Sequence, residues 1–80
     1  MLLERSREAL RKSLEVEVER LPYIECENTL FEKIRALATS YSDENGYGIH
    51  HDILGMLVDR AIETGEPVQE LVTEYVYDYE

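Results

Sequence analysis

Apolar residues recur at three- and four-residue spacing along most of this chain, and three breaks cut the pattern into four segments. Such spacing puts them on one face of a helix that turns about 100° per residue. Each break has a chemical cause. Leu21-Pro22 closes the first segment, because proline disfavours helical backbone in the residue before it. Ser42-Asp43-Glu44-Asn45-Gly46-Tyr47-Gly48 is a loop by composition. Gly65-Glu66-Pro67 pairs the usual residue just past a helix end with the usual first residue of the next helix. Four helices joined by short connections in 80 residues predict an all-α, compact bundle forming one domain over residues 1–80. The approximate helix bounds are 2–20, 29–42, 49–64 and 67–79.

The individual faces sharpen this picture. In the first segment Leu3, Leu10, Leu14, Val18 and Leu21 share one stripe. Leu2, Ala9 and Val16 form a second, with Ser6 and Ser13 between them. The second segment carries a capping-box pattern, Thr29-Leu-Phe-Glu32, with Asn28 as an alternative cap. Leu30, Phe31, Ile34, Leu37, Ala38 and Tyr41 then follow helical spacing. Ile53, Leu54, Leu57, Val58, Ala61 and Ile62 give the third segment an apolar arc close to half its circumference, which predicts the central helix. Gly55 interrupts it at a cost of roughly 1 kcal/mol relative to alanine, which points to a close helix crossing. In the fourth, Val68, Leu71, Val72, Tyr75, Val76 and Tyr79 make one stripe, with Pro67 at the first helical position.

Two windows also fit another reading. Leu14-Glu-Val-Glu-Val-Glu and Val72-Thr-Glu-Tyr-Val-Tyr-Asp-Tyr alternate with period two and are rich in strand formers. An α+β alternative would pair 14–20 with 72–79 as a two-stranded ribbon. Helix is the preferred reading, because both windows continue a helical stripe already begun. A ribbon followed by two helices would suit a DNA-reading repressor, but its outward residues here, Glu15, Glu17 and Glu19, would face phosphates.

Charge narrows the function. The chain has 18 acids and 8 bases, a net charge of −10. From Ala36 onward Arg60 is the single base among ten acids, so direct binding to nucleic acid or to an anionic membrane through that half is excluded. Cys26 is the only cysteine, which rules out an internal disulfide and a paired-thiolate zinc site. The lone thiol, and Glu4-Arg5 following at once on Met1-Leu2-Leu3 where a signal peptide would continue apolar, point to a cytoplasmic protein.

Catalytic and metal signatures are weak. His50-His51-Asp52 holds adjacent histidines that point about 100° apart on a helix, unlike the i, i+4 pair of a zinc helix, so structural or capping roles fit best. Any further ligand would have to come from Glu25, Cys26, Glu27 or the acidic loop. Set in a calcium-loop register with Gly46 at the sixth position, that loop starts at Tyr41 and lacks its first anchor. No nucleophile elbow or phosphate-cradling glycine loop is present. The chain reads as a non-enzyme with no metal or cofactor.

The strongest candidate for function is the fourth helix. Glu66, Glu70, Glu74 and Asp78 recur every four residues opposite the apolar stripe, with Tyr77 on the same face. Like charges at that spacing each cost a few tenths of a kcal/mol, so folding alone does not favour them. Aromatic residues set among charges are the usual anchors of a protein interface. The pattern predicts a partner-binding surface of Glu66, Glu70, Glu74, Tyr77 and Asp78. The expected function is a small acidic module that occupies a basic, nucleic-acid-binding site on a protein partner, as an inhibitor, immunity or anti-defence protein. In size, charge and helicity it is similar to the immunity proteins of nuclease bacteriocins, without a motif in common. The alternative is a structural or adaptor subunit that uses the wide apolar faces of helices one and three to form a homo-oligomer or to dock into a larger assembly.

Overall fold

The computed structural model describes residues 2–15, 17–18 and 27–79. They form four helices: α1 (Leu2–Leu14), α2 (Glu27–Glu44), α3 (His51–Thr64) and α4 (Val68–Tyr79). No strand occurs among the described residues, so the chain is an all-α bundle. Residues 72–79 lie inside α4, which removes one half of the ribbon alternative. Val16, Leu21, Glu25 and Cys26, and the side chains of Leu2 and Tyr79, fall outside what is described.

α1, α2 and α3 pack on one another, and α4 leans on α2 and α3 with a lighter contact to α1. One cluster of buried side chains joins all four: Ala9 and Leu10 from α1, Leu30, Ile34 and Ala38 from α2, Leu54, Leu57, Val58 and Ala61 from α3, and Val68, Leu71 and Val72 from α4. Each large aliphatic in that cluster is worth about 1.5–3 kcal/mol of burial. α3 therefore shares the centre with α1 and α2 rather than occupying it alone. The buried face of α1 is the seam between its two sequence stripes. Ser6, Ala9, Leu10 and Ser13 are buried there, while Leu14 remains 40% exposed. The midline of that face is thus taken up by neighbouring helices within the chain.

α1 stops at Leu14, short of the Arg20 that apolar spacing predicts. Glu15 adopts a left-handed conformation (φ 55°), and its N–H donates to the Arg11 carbonyl at 2.7 Å. This is a left-handed helix stop made without glycine. Helix beyond this point would recruit two β-branched valines and set Glu15 against Glu19 one turn apart, both unfavourable. Val18 is buried all the same.

α2 begins two residues before the predicted cap, so Asn28 and Thr29 lie within its first turn and do not cap it. Glu27 suits that position, since a carboxylate meets the positive end of the helix dipole. The helix also runs on to Glu44. It closes at Asn45, whose N–H and Nδ2 both donate to the Tyr41 carbonyl, at 3.1 and 2.8 Å.

α3 is capped at both ends. The Nδ1 of His50 accepts from the Asp52 N–H at 3.2 Å, and Gly65 (φ 74°) donates its N–H to the Ala61 carbonyl at 2.7 Å. Gly65, not Gly55, marks the close approach. A Cβ at Gly65 would lie 3.3 Å from Glu8 Oε2, whereas one at Gly55 would meet nothing within 4 Å. Arg5 Nη1 donates to the Glu63 carbonyl at 2.7 Å, tying α1 to the end of α3.

α1 and α4 cap each other. Ser13 Oγ accepts from the Val68 N–H at 3.0 Å, and Gln69 Nε2 donates to the Ser13 carbonyl at 2.6 Å. An orphan donor at the start of one helix and an orphan acceptor at the end of the other are satisfied together. Pro67 precedes α4 instead of opening it, and its carbonyl accepts from Glu70 and Leu71 at 3.2 and 3.4 Å.

Candidate protein-binding surface

α4 owes its orientation to Val68, Leu71 and Val72, which are buried. With these turned inward, helical geometry sends Glu70, Glu74, Tyr77 and Asp78 outward, and all four are exposed. Tyr77 is 73% exposed, the most open of the large hydrophobic side chains among the described residues. Glu66 does not join them. It sits in the turn before α4, partly buried, with its N–H donating to Thr64 Oγ1 at 3.3 Å. The ridge on the helix itself is therefore Glu70, Glu74 and Asp78, and among the described residues no cation pairs with it.

Beside the ridge runs an open groove of about 450 Å³ between α2 and α4, lined by Tyr41, Gln69, Glu70, Thr73 and Glu74. A chain of hydrogen bonds holds its floor. The Thr73 hydroxyl donates to the Gln69 carbonyl at 2.8 Å. Thr73 Oγ1 is then left to accept from the Tyr41 hydroxyl, 2.9 Å away. Tyr47 packs its ring edgewise on Tyr41, with centroids 6.0 Å apart and an interplanar angle of 67°. Burial, followed by the neighbouring Tyr41 hydroxyl, pushes the Tyr47 phenol above its ordinary value of 10.0. Gln69 Oε1 is buried beneath the groove without a hydrogen-bond partner among the described residues. Two carboxylates, an anchored aromatic ring and an exposed tyrosine thus line one side of the bundle.

Tyr41, Tyr47, Gln69 and Thr73 are not among the site residues that the sequence pattern selects. Tyr41 belongs to the apolar stripe of α2, and Tyr47 lies in a loop of polar composition. On α4, Gln69 and Thr73 do fall on the flank of the ridge. Which helix would face that flank is a tertiary fact with no local signal.

Of the two histidines, His50 caps α3. His50 closes the start of α3, its Nδ1 3.6 Å from the Asp52 carboxylate, and its ring meets that of His51 edgewise at 6.5 Å. Among the described residues no three His, Cys, Asp or Glu side chains converge as a metal site would require. Another concavity, about 920 Å³, lies on the outer face of α1 and the residues just after it. There Arg7, Arg11 and Lys12 alternate with Glu4, Glu8 and Glu15, and Lys12 pairs with Glu8 at 3.6 Å. Mixed signs give that face little net field. No described helix is long and apolar enough to cross a membrane.

Comparison with protein-family models, curated proteins and solved structures finds no significant match to this chain.

Proposed function

We propose that the chain is a small cytoplasmic protein-binding module whose α4 surface occupies a basic, nucleic-acid-binding site on a partner protein, in the manner of an inhibitor or immunity protein. The observation that carries this reading is the row Glu70, Glu74 and Asp78, exposed and unneutralised among the described residues, with Tyr77 73% exposed at its edge. Carboxylates one turn apart repeat every 6 Å or so along the axis, a distance of the same order as that between neighbouring phosphates on a strand. The ridge therefore offers a phosphate-binding groove the sign and repeat it is built for. Tyr77 supplies a large, nearly rigid apolar anchor, and the groove beside Tyr41 has room for a basic side chain between Glu70 and Glu74. Electrostatic matching of this kind speeds association and selects partners more than it adds raw affinity.

Capture of partners from the native host, identified by mass spectrometry, supplies the binding assay. Affinity for the captured partner is expected to fall steeply as salt rises, and Glu70→Lys with Glu74→Lys and Asp78→Lys is expected to lower it by about a hundredfold or more. Tyr77→Ala tests the anchor, with an expected loss of about tenfold or more. Affinity that ignores salt and survives the triple reversal overturns the reading.

A further inference from the structure

α4 changes character along its length. Its first part is held: Val68, Leu71 and Val72 are at most 1% exposed, and Ser13 ties Val68 and Gln69 to α1. Residues 73–79 have weaker reasons to be helical. None of residues 73–78 is buried; Thr73, Tyr75 and Val76 are half-buried, and Glu74, Tyr77 and Asp78 are exposed. Thr73, Tyr75, Val76, Tyr77, Asp78 and Tyr79 are also poor helix formers. β-Branched and aromatic side chains lose rotamer freedom against the preceding turn, and aspartate competes for backbone hydrogen bonds. The charges oppose helix too. Glu74 stands one turn from both Glu70 and Asp78, Asp78 sits at the negative end of the helix dipole, and no base lies in the last turn. Burial, propensity and charge thus weaken the same segment. Tyr75 packed against the core and the 2.9 Å hydrogen bond from Tyr41 to Thr73 tie it to the bundle.

We infer that α4 is a two-part helix: residues 68–72 form a docked half, and residues 73–79 a charge-gated half that is fully helical only when cations offset its carboxylates. Burial and propensity are fixed by the chain, so charge is the one term that the surroundings can change. The helix described above is then the state in which repulsion has been overcome. Glu74, Tyr77 and Asp78 all lie on the gated half, so the α4 surface is completed by the cations it binds. A site that orders as it binds spends part of its interaction energy on ordering. In return it stays incomplete until positive charge arrives. The inference rests on the reading of a basic partner for the source of that charge, whereas the gating itself is a property of the free chain.

The test is amide hydrogen exchange on the free, full chain, followed residue by residue by NMR at neutral pH. Salt at about 0.01 M and about 1 M gives screening lengths of about 30 and 3 Å. At the lower salt the Tyr75 and Val76 amides are expected to exchange about tenfold or more faster than that of Val72. Raising the salt is expected to slow them about threefold or more relative to Val72. Exchange at neutral pH is catalysed by hydroxide, which carboxylates repel, so screening without ordering would speed them instead. Pentalysine added at the lower salt should slow the same amides. Asp78→Lys, which supplies a base to the last turn, should slow them without added salt and flatten the salt response. Tyr75 and Val76 amides as protected as Val72 at low salt, or unmoved by salt, or unmoved by pentalysine, overturn the inference and leave the α4 reading intact. Gating that holds while the reversals of Glu70, Glu74 and Asp78 leave affinity for the captured partner unchanged upholds the inference and overturns the α4 reading.

Discussion

Replacing Ser13 by alanine removes one oxygen atom and tests how α1 and α4 are locked together. Ser13 Oγ is the acceptor for the Val68 N–H at 3.0 Å. Val68 is fully buried and Ser13 is 8% exposed. A missing hydroxyl leaves less room than a water molecule needs, so the donor stays unpaired at a cost of about 1–3 kcal/mol. Alanine is a better helix former than serine and returns about 0.5 kcal/mol. The net expectation is a destabilisation of about 1–2 kcal/mol, which lowers the thermal midpoint of a domain this size by about 5–15 °C. Urea unfolding should show a lower midpoint with an unchanged slope, because the surface exposed on unfolding is the same. Amide exchange gives the residue-level readout: Val68 should lose protection before the core amides of α2. An Ser13→Ala protein with an unchanged or higher midpoint and a protected Val68 amide would refute the reasoning.

Three further outcomes follow from the backbone and the tyrosines. Gly65→Ala should lose about 1 kcal/mol in urea unfolding, since Gly65 holds φ 74° and an added methyl would press on the Glu8 carboxylate. Glu15→Gly should gain up to about 1 kcal/mol, because Glu15 holds φ 55° at the end of α1 and glycine relieves the clash at some cost in chain entropy. Tyr47 should ionise later than a free tyrosine in an ultraviolet titration, and Tyr47→Phe should remove that late step. Its neutral phenol is favoured in the folded state, so the stability it contributes is complete below pH 10.0 and is lost as pH rises through the higher folded value.

The acidic surface and the stability of the bundle pull in opposite directions. Glu70/Glu74 and Glu74/Asp78 are like-charge pairs one turn apart on α4, each unfavourable by a few tenths of a kcal/mol. Screening at physiological salt acts over about 8 Å, so this repulsion is felt most between adjacent turns. A partner that brings cations to the ridge relieves that repulsion on binding. Glu74→Gln should accordingly stabilise the free protein slightly while weakening the complex.

Much of the architecture is legible in local chemistry. Gly65 and the proline after it separate α3 from α4 because a left-handed helix stop wants glycine, and the fixed φ of proline suits the approach to a new helix. The stripe Val68, Leu71 and Val72 sets which side of α4 turns inward, and with it the outward row of Glu70, Glu74, Tyr77 and Asp78. Periodicity is a property of the chain alone, so these features need no knowledge of neighbours.

Where the signal is a cost or a continuation, tertiary structure decided. The apolar repeat of α1 runs on past Leu14, yet Glu15 turns left-handed and Val18 reaches burial beyond the end of α1. Glu66 keeps the four-residue spacing of the acidic ridge but belongs to the turn before α4, because spacing does not reveal where helical backbone begins. Ser6 and Ser13 read as polar gaps between two stripes, and packing makes them the midline of the buried face. There Ser13 serves a helix 55 residues away in sequence. The groove beside the ridge exists because α2 lies along α4 and brings the Tyr41 hydroxyl to Thr73. A sequence specifies which face of each helix is apolar. Which helix meets that face is settled only when all four compete for the same core.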